Sequence, residues 1–267
     1  MSPFVRKLIV ALVLAPPFVA VWYFGAPYFS ALMTVFAALA AYEVVAMATS
    51  QARIAATTVA VCGAVAIIVP TVFTVPWTSS TAIFFTLIAA LLAHLVWPGD
   101  MSSAANRVAV VMLAAVYASL PVSYLLLLRN QPEIGRGLSF LVLASAWFCD
   151  SFAYFGGRAF GKHKLYPRMS PNKTVEGLFS GMLASGLAVA ACTYFFHLPF
   201  SVVSGFGLGV ACGLVGQIGD LCESLLKRSF GVKDAGTLLG AHGGVLDRFD
   251  AVLFVAPFIW FVWPFLP

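Results

Sequence analysis

The sequence predicts an all-α, polytopic transmembrane protein with about nine spans and a cytoplasmic N-terminus. The first observation behind this fold class is composition: of 267 residues, 61% are hydrophobic and only 9% are charged, and the mean hydropathy is +0.98. These values lie far outside the range of soluble domains. The second observation is the spacing of polar breaks along the chain, and the third is the distribution of basic residues among those breaks.

Polar breaks divide the chain into apolar segments that are long enough to cross a bilayer, which takes about 20 residues of helix. The first segment follows Arg6 and Lys7 as a signal peptide would, but apolar sequence resumes directly after it, so we interpret it as a retained helix. The predicted spans lie near residues 6–24, 28–49, 54–74, 79–98, 107–128, 138–157, 176–196, 200–221 and 246–266.

Basic residues are distributed unequally between the two predicted sides. Cytoplasmic loops of membrane proteins are enriched in Lys and Arg. With the N-terminus inside, all but two of the 15 basic residues fall in cytoplasmic loops, the exceptions being Arg129 and Arg136. This distribution predicts that loops 157–175 and 222–245 both face the cytoplasm. The net charge of +5 follows from the same topology and gives no reason to expect nucleic acid as a partner.

Charged residues also divide the chain into two regions. Residues 1–149 contain nine of them, nearly all at span ends, whereas residues 150–250 contain the other sixteen, several within or at the edge of predicted spans. We therefore predict an N-terminal transmembrane scaffold, residues 1–136, and a C-terminal transmembrane catalytic region, residues 137–267, whose polar site faces the cytoplasm.

Asp150 is predicted to lie well within a span. A carboxylate near the centre of a membrane helix costs about 2.5–3.5 kcal/mol on insertion, so it requires a polar environment. Three interpretations follow. Asp150 faces a polar cavity, forms a structural pair with a Lys or Arg of a neighbouring helix, or stays protonated.

The segment Ser170-Pro-Asn-Lys-Thr174 is predicted to open the next helix. Ser170 or Asn172 would cap that helix, and Pro171 would occupy its first turn. The amides at this helix N-terminus, beside Lys173, would bind a phosphate group. Other basic residues of the loop either contact phosphate as well or only set the topology, namely Arg158, Lys162, Lys164 and Arg168.

Asp220, Glu223 and Lys227 recur at helical spacing at the end of the eighth predicted span. Two carboxylates and an ammonium group along one helical face suit a divalent cation bound beside a phosphate. Glu223 and Lys227 are equally compatible with an ordinary i, i+4 salt bridge. Asp247 and Asp250, three residues apart at the start of the last predicted span, lie on one predicted helical face and could share a hard cation.

These residue types predict phosphoryl or nucleotidyl transfer. Carboxylates can hold Mg²⁺, and basic side chains can neutralise phosphates, so that positioning and charge neutralisation supply most of the catalysis. No nucleophilic side chain is required. The basic residues of the segment 224–250 that can neutralise phosphates are Lys227, Arg228, Lys233 and Arg248.

The segment from Ser224 to Asp250 resembles the signature of phosphatidate cytidylyltransferases, also called CDP-diacylglycerol synthases. The shared features are a Ser, Lys-Arg, Lys-Asp, His-Gly-Gly and Asp-Arg-x-Asp at matching intervals. The resemblance extends backward through residues 150–158, 161–164 and 170–174, so it covers about the last 120 residues.

The resemblance implies a reaction in which the phosphate of phosphatidic acid attacks the α-phosphorus of CTP, releasing pyrophosphate and leaving CDP-diacylglycerol in the bilayer. It implies that Asp220 and Asp247 are catalytic residues and the leading Mg²⁺ ligands, supported by Glu223 and Asp250. A monovalent cation such as K⁺, a homodimer and a location in the cell (inner) membrane are also implied.

Basic and glycine-rich positions of the signature carry further implied roles. Lys227 and Arg248 would act as catalytic cations that neutralise the triphosphate and the lipid phosphate. His242 could also be a buried structural histidine. The implied substrate-binding residues are Ser170, Asn172, Lys173, Thr174, Arg228, Lys233, His242, Gly243 and Gly244.

Two other classes of protein share some of these features. A CTP-dependent lipid kinase of the dolichol or phytol kinase kind would also have a membrane-embedded nucleotide site, but it would transfer only the γ-phosphoryl group. The complete signature in residues 224–250 argues against it. A secondary transporter would also place Asp150 and Asp220 within spans. It has no evident need for such a signature, and no inverted repeat is visible in the sequence.

Overall fold

The computed structural model describes residues 17–48, 53–96, 100–236, 238 and 243–267. A helical stretch at 17–24 opens the described chain, and short 3-10 turns lie at Met101–Ser103, Leu246–Arg248 and Trp263–Phe265. The longer helices are α1 (Tyr28–Ala48), α2 (Arg53–Val72), α3 (Ser79–Val96), α4 (Ala104–Arg129), α5 (Gly135–Phe160), α6 (Val175–Phe195), α7 (Val202–Ser229) and α8 (Asp250–Val262).

Helices α1 to α7 are each long and apolar enough to cross a membrane, and α8 with the turn after it forms a shorter apolar helix. The prediction of an all-α, polytopic membrane protein is confirmed. Each predicted span from 28–49 to 200–221 corresponds to one of these seven helices. Residues 6–16 of the first predicted span lie outside the described residues, so the number of nine spans and the cytoplasmic N-terminus stay predictions.

The last helix begins later than predicted, at Asp250 instead of residue 246. Asp247 lies before it, in the 3-10 turn Leu246–Arg248. The prediction that Asp247 and Asp250 share one helical face is therefore wrong. The turn forms because the backbone amides of Val245 and Leu246 donate to the side chain of Glu43, a partner outside the local sequence.

A short antiparallel hairpin, β1 (Lys164–Tyr166) and β2 (Ser170–Thr174), precedes α6. The prediction that Ser170-Pro-Asn opens a helix is therefore wrong, because pairing with β1 holds these residues in extended backbone. Helix α6 begins at Val175, and Thr174 is its N-cap, accepting a hydrogen bond from the amide of Gly177 at 3.1 Å. The antiparallel ladder explains why the helix starts after Thr174.

The chain forms two compact units. The first consists of Met1–Leu126 and Asp234–Arg248, and within it α1 packs on α2 and α2 packs on α3. The second consists of Leu127–Lys233 and Phe249–Pro267, and within it α6 packs on both α5 and α7 while α8 packs on α7. The division of function at residue 136 stays a prediction.

Candidate active site

The polar end of α7 presents Asp220, Glu223 and Lys227, because the helix continues to Ser229. Lys227 Nζ lies 2.7 Å from Glu223 Oε2, and Glu223 is only 1% exposed. The i, i+4 salt bridge that the spacing allowed is therefore present. Because both side chains are largely buried, this pair is screened by solvent much less than a surface pair.

Lys173 reaches the same helix from strand β2. Its Nζ lies 2.5 Å from Asp220 Oδ2 and donates to Gln217 Oε1 at 3.0 Å. Residues 217 and 220 are three apart on α7, so one ammonium group contacts both side chains. The hairpin thus brings Lys173 and Asp220 together, although they lie 47 positions apart in the sequence.

Gln217 also connects Lys173 to Asp150 of α5. Its Nε2 donates to Asp150 Oδ1 at 3.2 Å, while its Oε1 accepts from Lys173. Asp150 therefore has a polar partner, as a carboxylate within a span requires, and this partner is an amide. Gln217 was not predicted as a site residue. The available signal was that it is the single amide side chain in the predicted span 200–221.

Asp250, the first residue of α8, adds a fourth carboxylate to this region. Its Oδ1 accepts from the amide of Ala251 at 2.7 Å, and its carboxylate interacts electrostatically with three others of the same unit. We call this group the carboxylate–lysine cluster, and it consists of Asp150, Asp220, Glu223, Asp250, Lys173, Lys227 and Gln217.

The carboxylate–lysine cluster has the donor atoms and the charge that a hard divalent cation takes, without a converged set of ligands in the described part of the chain. Carboxylate oxygens are the ligands that Mg²⁺ prefers, and four carboxylates against two ammonium groups leave a formal charge of −2. Among the described residues, no three carboxylate, imidazole or thiol side chains converge on one point. In this structure the carboxylates of Asp220 and Glu223 contact lysines.

Asp247 belongs to the other compact unit and has different partners. Its Oδ2 accepts from the backbone amides of Ala235 at 3.0 Å and Gly244 at 2.8 Å. Gly243 adopts φ +78°, a left-handed conformation that glycine tolerates. The amide of Gly244, predicted as a phosphate donor, is thus bonded to Asp247 in this structure. Asp247 as a metal ligand stays a prediction.

Glu43 of α1 was not predicted as a site residue, yet its carboxylate accepts the amides of Val245 and Leu246, beside Asp247. The signal that could have identified it is a lone carboxylate inside an otherwise apolar span. Glu176 was missed as well. Its carboxylate accepts from the amides of Lys162 and His163 and contacts His163 Nδ1 at 2.7 Å.

Thr174, next to Lys173, sits in a notch lined by glycines. A Cβ atom on Gly157, Gly161 or Gly177 would lie 2.9–3.0 Å from Thr174 Oγ1. Glycine at these positions therefore allows the end of α5 and the start of α6 to close around the threonine. This close packing surrounds the residue that follows Lys173.

The remaining predicted residues lie on exposed or extended segments. Arg228, Lys233 and Arg248 are exposed, and Arg228 Nη1 donates to the carbonyl of Val232 at 3.2 Å. Ser170 and Asn172 lie on β2. His242 lies outside the described residues.

The fold and the cluster together define a polytopic membrane protein with acidic and basic side chains suited to a cation and to phosphate groups. The family model described as "Cytidylyltransferase family" matches residues 5–266. The chain therefore belongs to the cytidylyltransferase family, and the expectation drawn from the motif in residues 224–250 is confirmed.

Named relatives match part of the chain. The phosphatidate cytidylyltransferase of Bacillus subtilis (strain 168) is 40% identical over 157 residues, which cover 59% of this chain and 58% of that protein. The phosphatidate cytidylyltransferases of Staphylococcus aureus (strain COL) and Staphylococcus epidermidis (strain ATCC 12228) are each 44% identical over 126 residues, covering 46% of this chain and 48% of each relative. The segments that match this chain span about half the length of these curated relatives.

Proposed function

We propose that this protein transfers the cytidylyl group of CTP to phosphatidic acid, giving CDP-diacylglycerol and pyrophosphate. The observation that carries the proposal is that two lysines, Lys173 and Lys227, each contact a carboxylate on the polar end of α7. Such a site offers cations for anionic substrates and oxygen ligands for a metal. Membership of the cytidylyltransferase family and the names of the relatives support the same reaction.

In this reaction a phosphate oxygen of phosphatidic acid forms a bond to the α-phosphorus of CTP. The bond from that phosphorus to the oxygen bridging the β-phosphorus breaks, and pyrophosphate leaves. Both substrates are anions, so their approach requires positive charge. Lys173 and Lys227 supply it when each exchanges a carboxylate for a phosphate oxygen, because each ammonium group keeps a charge-assisted hydrogen bond.

Mg²⁺ is the proposed cofactor. The residues proposed to hold it in the carboxylate–lysine cluster are Asp220, Glu223 and Asp250, and the family resemblance adds Asp247 and a second, monovalent cation such as K⁺. When bound, Mg²⁺ would neutralise charge on the phosphate oxygens. Lys173 and Lys227 would complete that neutralisation and would orient the two substrates for the in-line displacement.

Other basic side chains are proposed to bind the substrates around this centre. Arg228, Lys233 and Arg248 are exposed, and the resemblance implies that they neutralise the triphosphate and the lipid phosphate. Roles for Ser170, Asn172, His242 and Gly243 rest on the resemblance. For Thr174 the structure supports a different contribution, since its side chain caps α6 and thereby positions Lys173.

The proposed location is the cell (inner) membrane with the site facing the cytoplasm, and the proposed assembly is a homodimer. The basic loops 157–175 and 222–245 support this orientation, because positive charge accumulates on the cytoplasmic side. We expect a Lys164→Cys variant in a background without other cysteines to resist an impermeant thiol reagent in intact cells. A Glu133→Cys control, in a predicted external loop, should react. Labelling of position 164 from outside would contradict the proposed orientation.

The reaction is tested with purified protein, labelled CTP and phosphatidic acid, with products separated as lipid and pyrophosphate. The proposal predicts lipid-linked cytidine and pyrophosphate in equal amounts. CDP without lipid-linked cytidine would instead indicate a CTP-dependent lipid kinase. Retention of unmodified CTP under all conditions would contradict both.

A further inference from the structure

Glu43 is a buried carboxylate on α1, in the region predicted to serve only as scaffold. Its side chain is 1% exposed. Its two oxygens each accept one backbone hydrogen bond, Oε1 from Val245 at 2.9 Å and Oε2 from Leu246 at 2.8 Å. Each of the two adjacent amides has its own acceptor, because the carboxylate supplies two oxygens.

The chain closes tightly around this carboxylate. A Cβ atom on Gly236 would lie 2.6 Å from Glu43 Oε1, and one on Gly244 would lie 2.7 Å from Oε2. Glycine therefore allows backbone from two parts of the loop to contact the same side chain. The backbone around Glu43 is thus shaped to fit a carboxylate at this position.

The residue after this contact is Asp247. Its Oδ2 accepts hydrogen bonds from the amides of Ala235 and Gly244. Glu43 and Asp247 together therefore accept the backbone hydrogen bonds of residues 235 and 244–246. Glu43 lies on helix α1 and binds the backbone amides of Val245 and Leu246. The position of the Asp247 side chain, which follows directly in the chain, therefore depends on Glu43.

We infer that Glu43 is a positioning residue for Asp247, acting through the backbone of residues 245–246. The consequence for catalysis rests on the proposed function, in which Asp247 is a Mg²⁺ ligand. Glutamine at position 43 would retain one acceptor and present an NH₂ group to the other amide, so it would release at least one end of the contact.

The test compares Glu43→Gln with Val44→Ala, a neighbouring substitution on α1 at a position that is also fully buried. Hydrogen–deuterium exchange of the purified protein, without Mg²⁺ or CTP, measures protection of residues 243–248. We expect exchange at Val245 and Leu246 to accelerate about tenfold in Glu43→Gln and to stay unchanged in Val44→Ala. Wild-type protection in Glu43→Gln would overturn the inference.

Kinetics provide the second readout. We expect the Mg²⁺ concentration for half-maximal activity to rise about tenfold to a hundredfold in Glu43→Gln, as happens when a residue supporting a metal ligand is lost. Val44→Ala should keep the wild-type Mg²⁺ requirement even if less protein folds. A lower kcat in Glu43→Gln at an unchanged Mg²⁺ requirement would show a purely structural role and overturn the inference.

Gly236→Ala changes the same contact from the loop side and serves if Glu43→Gln fails to fold. It should reproduce the faster exchange at residues 245–246 and the higher Mg²⁺ requirement, and wild-type behaviour in both would contradict the inference. If wild-type protein makes no CDP-diacylglycerol, the proposed function fails, and the exchange experiment alone decides whether Glu43 positions the turn.

Discussion

Two carboxylates of the second compact unit and two of the first are held by different kinds of donor. In the second unit, Asp220 and Glu223 contact lysine ammonium groups at the ends of long side chains. In the first unit, Glu43 and Asp247 accept backbone amides. A lysine can rotate to another anion while the backbone stays in place, whereas releasing a backbone amide requires the chain itself to move.

The difference separates two tasks that acidic residues perform in one protein. Carboxylates that accept hydrogen bonds from backbone amides organise a turn. They contribute to stability because losing these hydrogen bonds would leave buried N–H groups without an acceptor. Under the proposed function, an anionic substrate replaces a carboxylate that contacts a lysine, because the lysine keeps a charge-assisted hydrogen bond in either state. We therefore expect substitutions of Asp220 and Glu223 to change catalysis more than stability, and Glu43→Gln to change stability as well as the Mg²⁺ requirement.

The largest effect is expected for Asp220→Asn and Asp247→Asn. Each should lower Mg²⁺-dependent cytidylyl transfer by about 10²–10³ or more, because an amide keeps the size but loses the charge that a hard cation needs. Only Asp247→Asn should also lower the free energy of unfolding, by about 1 kcal/mol, since it weakens two charge-assisted bonds to backbone amides.

Rates at several Mg²⁺ concentrations and thermal unfolding in detergent measure both effects. Glu133→Gln is the matched control, because Glu133 is exposed and lies far in the sequence from residues 220 and 247. It should leave rate and stability unchanged. Near wild-type turnover by Asp220→Asn at low Mg²⁺ would show that the metal assignment is wrong and would direct attention to Asp150.

A smaller effect is expected for Lys173→Ala, with Lys162→Ala as its control. Lys173 contacts Asp220 and Gln217, while Lys162 has an exposed side chain on a backbone held by Glu176. Loss of a charged hydrogen-bond donor to phosphate is worth about 1.5–3 kcal/mol, or about tenfold to a hundredfold in kcat/KM. Equal kcat/KM values for the two variants would remove Lys173 from the substrate site.

The smallest effect is expected for Gln217→Met, which keeps the length of the side chain and removes its hydrogen bonds. Lys173 would retain Asp220, so we expect kcat/KM to fall only about fivefold to tenfold, equivalent to about 1 kcal/mol. A double-mutant cycle with Lys173→Ala measures the coupling. Additive effects of the two substitutions would mean that Gln217 does not act through Lys173.

Features that depend on local sequence were predictable. The apolar segments identified seven membrane helices, and the spacing of Asp220, Glu223 and Lys227 placed them on one helix with a salt bridge within it. The family signature in residues 224–250 was also readable, because it is contiguous in the sequence.

Features that depend on distant partners were not predictable. Ser170-Pro-Asn reads as a helix start, and only its pairing with residues 164–166 makes it a strand. The 3-10 turn at Leu246–Arg248 forms with the help of Glu43, which lies 202 residues from Val245, so no local pattern around Asp247 could reveal why α8 starts late.

The glycine-lined notch around Thr174 has a consequence for the speed of the proposed exchange at Lys173. Because the notch packs closely around Thr174, the proposed transfer of the ammonium group from Asp220 to a phosphate calls for rotation of its four-carbon side chain. Rotamer changes of this kind take picoseconds to nanoseconds at exposed positions, whereas loop rearrangements take nanoseconds to microseconds. Under the proposed function, side-chain rotation at Lys173 would let the site bind an arriving phosphate without a loop rearrangement.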